Sequence, residues 1–286
     1  GTRTLSQAEL AQVSRTLVAN AICAPPYDTL FLPRLRATSP EDIVPSREDP
    51  VAATEVLDRV AVTMQTRTYF SLPVAEARGH PAAASFPGVV PPEAPRLTDE
   101  AVPVDTSVPG WHSTSLYAPA GEPITVRLPA VAATAGLALQ IGAHTDRLWN
   151  VAGDWTRMPE VTRVWPLESV ETAVFNPFGG LVYVTVPEGG GLSEPIVTVR
   201  IAGAVRAPVF RWGTNLDAWH QAAKNAPAPW GEIVGRNMIV TAPGDLVRAV
   251  PDPSAVADTW DRLLDLAAEL PRQPPIVRIE KCDELT

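Results

Sequence analysis

The sequence predicts a mainly β protein, an antiparallel β-sandwich across the middle of the chain with helical flanks. Three observations predict it. Between about residues 110 and 213, several short runs alternate apolar and polar residues, the period of a strand with one buried face. Thirty-one prolines and 18 glycines in 286 residues punctuate the chain too densely for a helical bundle; a proline share near 5% is usual. Apolar stripes of helical period are confined to the two ends.

The first zone, residues 1–84, reads as helical. Ser6 and Glu9 have the spacing of a capping box, in which each side chain satisfies a free backbone N–H at a helix start. Leu10, Val13, Leu17, Val18, Ala21 and Ile22 follow on one helical face, and Pro25-Pro26 stops the run. Asp49-Pro50 is a second helix start, since Asp caps and Pro suits the first helical position. Its expected inward stripe is Ala53, Val56, Leu57, Val60, Ala61 and Met64. The pair reads as a helical appendage. Residues 78–110 carry seven prolines, Pro81 to Pro109, and read as an extended linker.

The sandwich, residues 85–213, follows. Ile124, Val126 and Leu128 alternate with Thr125 and Arg127; Leu137, Leu139 and Ile141 alternate in the same way. Leu181–Val186, Val197-Val199-Ile201 and Pro208–Trp212 are further strands, separated by Gly and Pro turns. From residue 214 the pattern mixes. Asn215–Lys224 is a short helix and Met238–Thr241 a strand. Asp252-Pro253 then opens a helix whose expected inward face is Val256, Trp260, Leu263, Leu264, Ala267 and Leu270, with Asp258, Asp261 and Asp265 turned outward. Residues 214–286 read as the opening of an α/β or helical subdomain.

Charge narrows the function. Twenty-three basic against 32 acidic residues leave a net charge of −9 with no basic patch, so nucleic acid and anionic membrane surfaces are not expected partners. No apolar run approaches the ~20 residues of a membrane-spanning helix. The chain opens without Met or a signal-like start, as a processed or trimmed product would. His80, His112, His144 and His220 have no zinc-ligand spacing, and no Cys-x-x-Cys is present. Cys23 and Cys282 stand near opposite ends; a bridge between them and two separate thiols are equally open.

Four places have chemistry-bearing residues. His144 and Asp146, two apart after a strand, share a face and could act as a base with an orienting carboxylate, or make only turn hydrogen bonds. Trp149 and Trp155 flank a turn-rich loop and could offer sugar-stacking platforms, or fill a core. Asn176-Pro177-Phe178-Gly179-Gly180 could form a substrate-facing loop or a tight turn, its glycines permitting positive φ. Gly189-Gly190-Gly191 lacks the Lys and Ser/Thr of a phosphate loop and reads as a hairpin tip.

Several runs together resemble a known family. Gly110-Trp111-His112-Ser113-Thr114-Ser115-Leu116-Tyr117-Ala118-Pro119-Ala120-Gly121-Glu122, Ile141-Gly142-Ala143-His144-Thr145-Asp146 with Leu148-Trp149, Arg157-Met158-Pro159-Glu160-Val161-Thr162-Arg163, and Asn176–Leu181 stand in the order and spacing of the enhancin-like, mucin-degrading zinc metallopeptidases. The likeness covers about 85–270. It implies a jelly-roll-type sandwich before a catalytic subdomain whose zinc is held by His-Glu-x-x-His and a downstream Glu. It also implies O-glycosylated, mucin-like protein substrates and a secreted or cell-surface location. This sequence has no His-Glu-x-x-His. The expectation is therefore a non-catalytic portion with no catalytic or metal residue and no cofactor of its own, zinc belonging to the complete parent. Its role would be substrate positioning and scaffolding, with the missing catalytic segment as partner; a fragment, a processed form and a truncated homologue are all open. The alternative is a stand-alone glycan- or glycoprotein-binding module. Either way the expected substrate contacts are His144, Asp146, Trp149, Trp155, Asn176, Phe178, Gly179 and Gly180. A hydrolase built on His144 and Asp146 is a third reading.

Overall fold

A computed structural model describes residues 5–23, 43–189 and 191–269. The chain begins with α1 (Gln7–Cys23) and α2 (Val56–Ser71). The capping box forms as its sequence predicts: Ser6 N donates to Glu9 Oε2 at 2.9 Å and Glu9 N to Ser6 Oγ at 3.3 Å. The second helix starts later than Asp49-Pro50 suggests. Val51 and Trp155 exchange backbone hydrogen bonds at 3.0 and 2.9 Å, so Val51 is extended and cannot enter a helical turn. With the start displaced, Leu57 is exposed, and Arg59, Val62, Thr63 and Thr66 join Val60, Ala61 and Met64 in the buried set.

Nine strands follow: β1 (Glu100–Asp105), β2 (Gly110–Ala118), β3 (Ile124–Arg127), β4 (Ala138–Ile141), β5 (Arg163–Pro166), β6 (Glu171–Val174), β7 (Gly180–Val186), β8 (Ile196–Ala202) and β9 (Val205–Arg206). They make two antiparallel sheets of order β1-β8-β3-β6 and β5-β4-β7-β2-β9. The chain passes from sheet to sheet so that 1-8-3-6 faces 2-7-4-5, the double Greek key of a jelly roll, with β9 added at the β2 edge. The alternating residues do what their period requires. Val102, Val104, Leu116, Ile124, Val126, Leu139, Ile141, Val184, Val199 and Ile201 fill the space between the sheets. Each such side chain contributes about 1.5–3 kcal/mol by leaving water. The stretch read as a linker is ordered at its end: β1 contains Pro103 and pairs only with β8, and proline is tolerated on such an edge strand.

A third sheet, order β10-β11-β12, is built from β10 (Val209–Arg211), β11 (Trp230–Val234) and β12 (Ile239–Pro243), with β10 and β11 parallel. One face packs on the outer side of the five-stranded sheet through Tyr117, Leu181, Tyr183, Val205, Val209, Val234 and Ile239. The central strand β7 is therefore covered on both sides and almost wholly buried. The other face carries α3 (Leu216–Gln221), α4 (Gly244–Ala249) and α5 (Pro253–Glu269) over Phe210, Trp219, Ile233, Val247 and Ala257. Asn215 and Asp252 cap α3 and α5 as N-cap residues: Asn215 Oδ1 accepts from Asp217 N at 2.7 Å and Asp252 Oδ1 from Ser254 N at 3.0 Å. Asp261 is a correction. It is buried, not outward, and accepts from the backbone N–H groups of Arg236 and Asn237, both at 2.8 Å. Leu263, expected inside, is 51% exposed. Leu270, Pro25-Pro26, Gly190, Cys282 and the Cys23 side chain lie outside the described residues.

Candidate functional site

The expected contact residues converge at one end of the sandwich, where the α2 segment meets the loops after β4 and β6. The Asn176–Gly180 loop is the knot of that region. Asn176 is fully buried, and its Nδ2 donates to Ile141 O at 2.9 Å, Val161 O at 2.8 Å and Gly179 O at 3.1 Å. Its Oδ1 accepts from Phe178 N at 3.1 Å, closing an Asx-type turn. Gly180, at φ +143°, lets β7 pass so close to the end of β4 that a Cβ there would stand 2.6 Å from Gly142 Cα. Phe178 is buried against His80 and Phe70, with ring centroids at 4.8 and 5.8 Å. As placed, Asn176, Phe178, Gly179 and Gly180 build the framework and present no side chain to solvent.

Trp149 and Trp155 also face inward, at 4% and 0% exposure. Their rings meet edge to face at 5.6 Å, and the buried Arg59 guanidinium lies 4.4 Å from the Trp155 ring centre. Arg59 also ties the loop to the helix, donating to Gly153 O at 2.6 Å. Burial lowers its pKa, since desolvation penalises the cation. Neither indole offers a platform in this conformation; the turn-rich loop is covered by α2, a neighbour that local sequence does not reveal.

His144 and Asp146 stay nearer the surface, with different partners. Asp146 pairs with the buried guanidinium of Arg157, which also donates to Met158 O at 2.9 Å. The His144 ring sits between Phe86 and Trp230, at 4.7 and 4.5 Å. Trp230 is held in turn by its Nε1 donating to Pro87 O at 2.6 Å. Partly exposed His144 and Trp230, with Pro87, Gly142 and Gly180, line a recess of about 10 Å³, room for roughly one water. The carboxylate expected to orient the base is thus engaged by a cation, and the imidazole by aromatic rings.

One polar cluster has no counterpart in the sequence reading. Glu232 of β11 is fully buried and accepts from Tyr183 Oη at 2.6 Å and from the Ser113 hydroxyl. Beside it Ser115, at φ +62°, sits in the irregular stretch of β2, and Arg211 donates to Ser113 O at 2.9 Å and Ser115 Oγ at 2.8 Å. This cluster fastens the third sheet to the sandwich. The Ser-x-Ser spacing in β2 was its only local trace.

Among the described residues no three His, Cys, Asp or Glu side chains gather as metal ligands. His80 Nδ1 accepts from Ala82 N at 3.0 Å in a buried site that lowers its pKa to about 4, and His112 Nε2 is 2.8 Å from Val108 O. Among the same residues, no helix is long and apolar enough to cross a membrane.

A jelly roll carrying a small α/β segment on its outer face is the class of architecture to which the described residues belong. Family comparison says which family it is. The model described as the N-terminal domain of M60-like peptidases matches residues 95–200, and the model described as peptidase M60, enhancin and enhancin-like, matches residues 203–277. Together they cover more than half of the chain, which belongs to this enhancin-like M60 peptidase family. Similar curated proteins include TRPM8 channel-associated factor 2 of Bos taurus, 41% identical over 173 residues, which are 60% of this chain and 19% of that protein. TRPM8 channel-associated factor 1 of Homo sapiens is 36% identical over 200 residues, 68% of this chain and 21% of that one. The chain thus spans about a fifth of the length of the curated relatives it matches. Among solved structures, the IMPa metallopeptidase of Pseudomonas aeruginosa aligns with TM-score 0.46 at 20% identity, over 75% of this chain and 28% of that one. The M60 catalytic domain of Clostridium perfringens ZmpB aligns with TM-score 0.46 at 14% identity, over 59% and 21%.

Proposed function

We propose that this chain is a non-catalytic portion of an M60-type zinc peptidase unit, a scaffold that positions an O-glycosylated, mucin-like protein substrate for a zinc centre carried by other polypeptide. The observation that carries the reading is the joining of the two segments. The sandwich and the peptidase-matched segment are packed face to face and pinned by the buried Glu232–Tyr183–Ser113 cluster, while the sequence has no His-Glu-x-x-His. A packed two-part frame with no metal-ligand set among its described residues suits orientation of a substrate, and a secreted or cell-surface location follows from such a substrate. The test is binding of a desialylated mucin to the purified chain by calorimetry. Saturable binding without cleavage supports the reading, and cleavage by the chain alone overturns it.

A second reading, a stand-alone recognition module, is favoured by the half-exposed Phe86–His144–Trp230 trio, whose aromatic faces suit stacking on a sugar ring. The curated relatives, named as channel-associated factors, give such a module a protein partner as an alternative to a glycan. A glycan array distinguishes the two partners. Glycan binding lost in Trp230→Ala, with the melting temperature kept, supports the module; an empty array leaves a protein partner for it.

A further inference from the structure

An amphipathic surface helix normally buries its apolar stripe and shows its charges to water. The helix α5 departs from this over its second half, where Asp261 is buried and Leu263 and Leu266 are exposed. It is held by its acidic edge: Asp258 Oδ1 accepts from Trp212 Nε1 at 3.0 Å, Asp261 accepts from Arg236 N and Asn237 N, and Asp265 accepts from Arg236 Nη2 at 3.1 Å and Asn237 Nδ2 at 2.9 Å. Of the apolar residues, Ala257 is buried and Val256 packs on the third sheet. Beyond them Leu263 and Leu266 are 51% and 52% exposed, and Trp260, Leu264 and Ala267 are half-buried. Residues three and four apart share a helical face, so these five make one apolar strip, of which Leu263 and Leu266 stand exposed among the described residues.

We propose that this strip is the seat for further polypeptide of the M60 peptidase unit, an apolar-faced segment that packs along α5. The proposal rests on reading the chain as a non-catalytic portion of that unit. Two facts select the occupant. The whole of α5 falls inside residues 203–277, the stretch matched by the peptidase M60 model, and the match takes up only about a fifth of the relatives' length, so the relatives carry further polypeptide that such a face can receive. A second copy of this chain fits less well. Each copy carries a net charge of −9, so two copies brought together would repel.

The test is co-expression of the chain with the part of bovine TRPM8 channel-associated factor 2 that lies C-terminal to the matched stretch, followed by co-purification. The wild-type chain is expected to recover that segment in one-to-one ratio, and the double variant Leu263→Ser/Leu266→Ser to recover at least tenfold less. The melting temperature of the double variant alone should match wild type, because both leucines are already half in water. Val131→Ser, at an exposed position of the sandwich, should behave as wild type. Undiminished recovery by the double variant overturns the proposal, as does failure of the wild type to recover the segment. A wild-type dimer abolished by the same substitutions overturns it in favour of a second copy. Zinc analysis of the chain alone reads the parent proposal separately: bound zinc there sinks the non-catalytic reading and leaves the co-purification result standing.

Discussion

Replacing Asn176 tests how the loop knot works. In Asn176→Ala the side chain that donates to three carbonyls and accepts from Phe178 N disappears from a site with no solvent exposure. A typical internal hydrogen bond contributes about 1 kcal/mol net, and a buried polar group left without a partner costs about 1–3 kcal/mol. Losing the two shorter amide bonds and stranding their carbonyls gives a loss of about 4 kcal/mol. For a chain of this size each kcal/mol moves the midpoint by roughly 2–4 °C, so the melting temperature should fall by roughly 10 °C. Circular dichroism with denaturant titration measures it. Asn176→Asp is nearly isosteric but turns a carboxylate toward three carbonyl oxygens. Its folded form resists ionisation, so its pKa rises and its stability is lost as pH rises through that value. It should be worse than Ala at pH 7 and recover part of the loss under acid. A loss below 1 kcal/mol for Asn176→Ala, or an Asp variant indifferent to pH, would refute the reasoning.

Three further outcomes follow from the same structure. His80 has its pKa lowered from 6.5 to about 4 by burial, so the unfolded chain takes up the proton first and stability falls as pH drops from 6.5 to about 4, by roughly 3 kcal/mol in all. His80→Asn, which keeps an acceptor for Ala82 N, should flatten that slope by about one proton; an unchanged slope counts against the assignment. Gly180→Ala forces a Cβ against Gly142 Cα at φ +143° and should cost more than about 2 kcal/mol by denaturant unfolding; wild-type stability would mean β4 and β7 separate freely. Asp261→Ala strands the Arg236 and Asn237 N–H groups and should cost about 2–3 kcal/mol, with faster amide exchange at residues 235–239 as its local signature; exchange unchanged there would show that the acidic edge does not hold α5.

Local periodicity made much of this fold legible. β3, β4, β7 and β8 each present an alternating or continuous apolar row to the inter-sheet core, and period alone reveals that. The edge strands were harder. β1 carries Pro103, and β5, at the other sheet's edge, is only half-buried, so a hydrophobic pattern is weak or interrupted. β11 was hidden by Glu232, a charge in a buried strand that reads as a breaker until hydroxyls from β2 and β7 are seen to satisfy it. The site was legible as positions and not as roles. Its motifs mark where strands end and backbones cross, but whether Trp149 and Trp155 face water depends on α2, some ninety residues earlier in the chain. For α5 the periodicity was right and the expected direction failed at Leu263 and Asp261, because the helix is seated by backbone N–H groups donating to the Asp261 carboxylate.

Metal content tests the central claim most directly. The chain, purified in zinc-containing buffer and passed through a desalting column, should hold far less than one zinc per molecule by mass spectrometric elemental analysis, and its melting temperature should not change when zinc or a chelator is added. One tightly held zinc per chain, with a melting temperature that falls on chelation, would contradict the account.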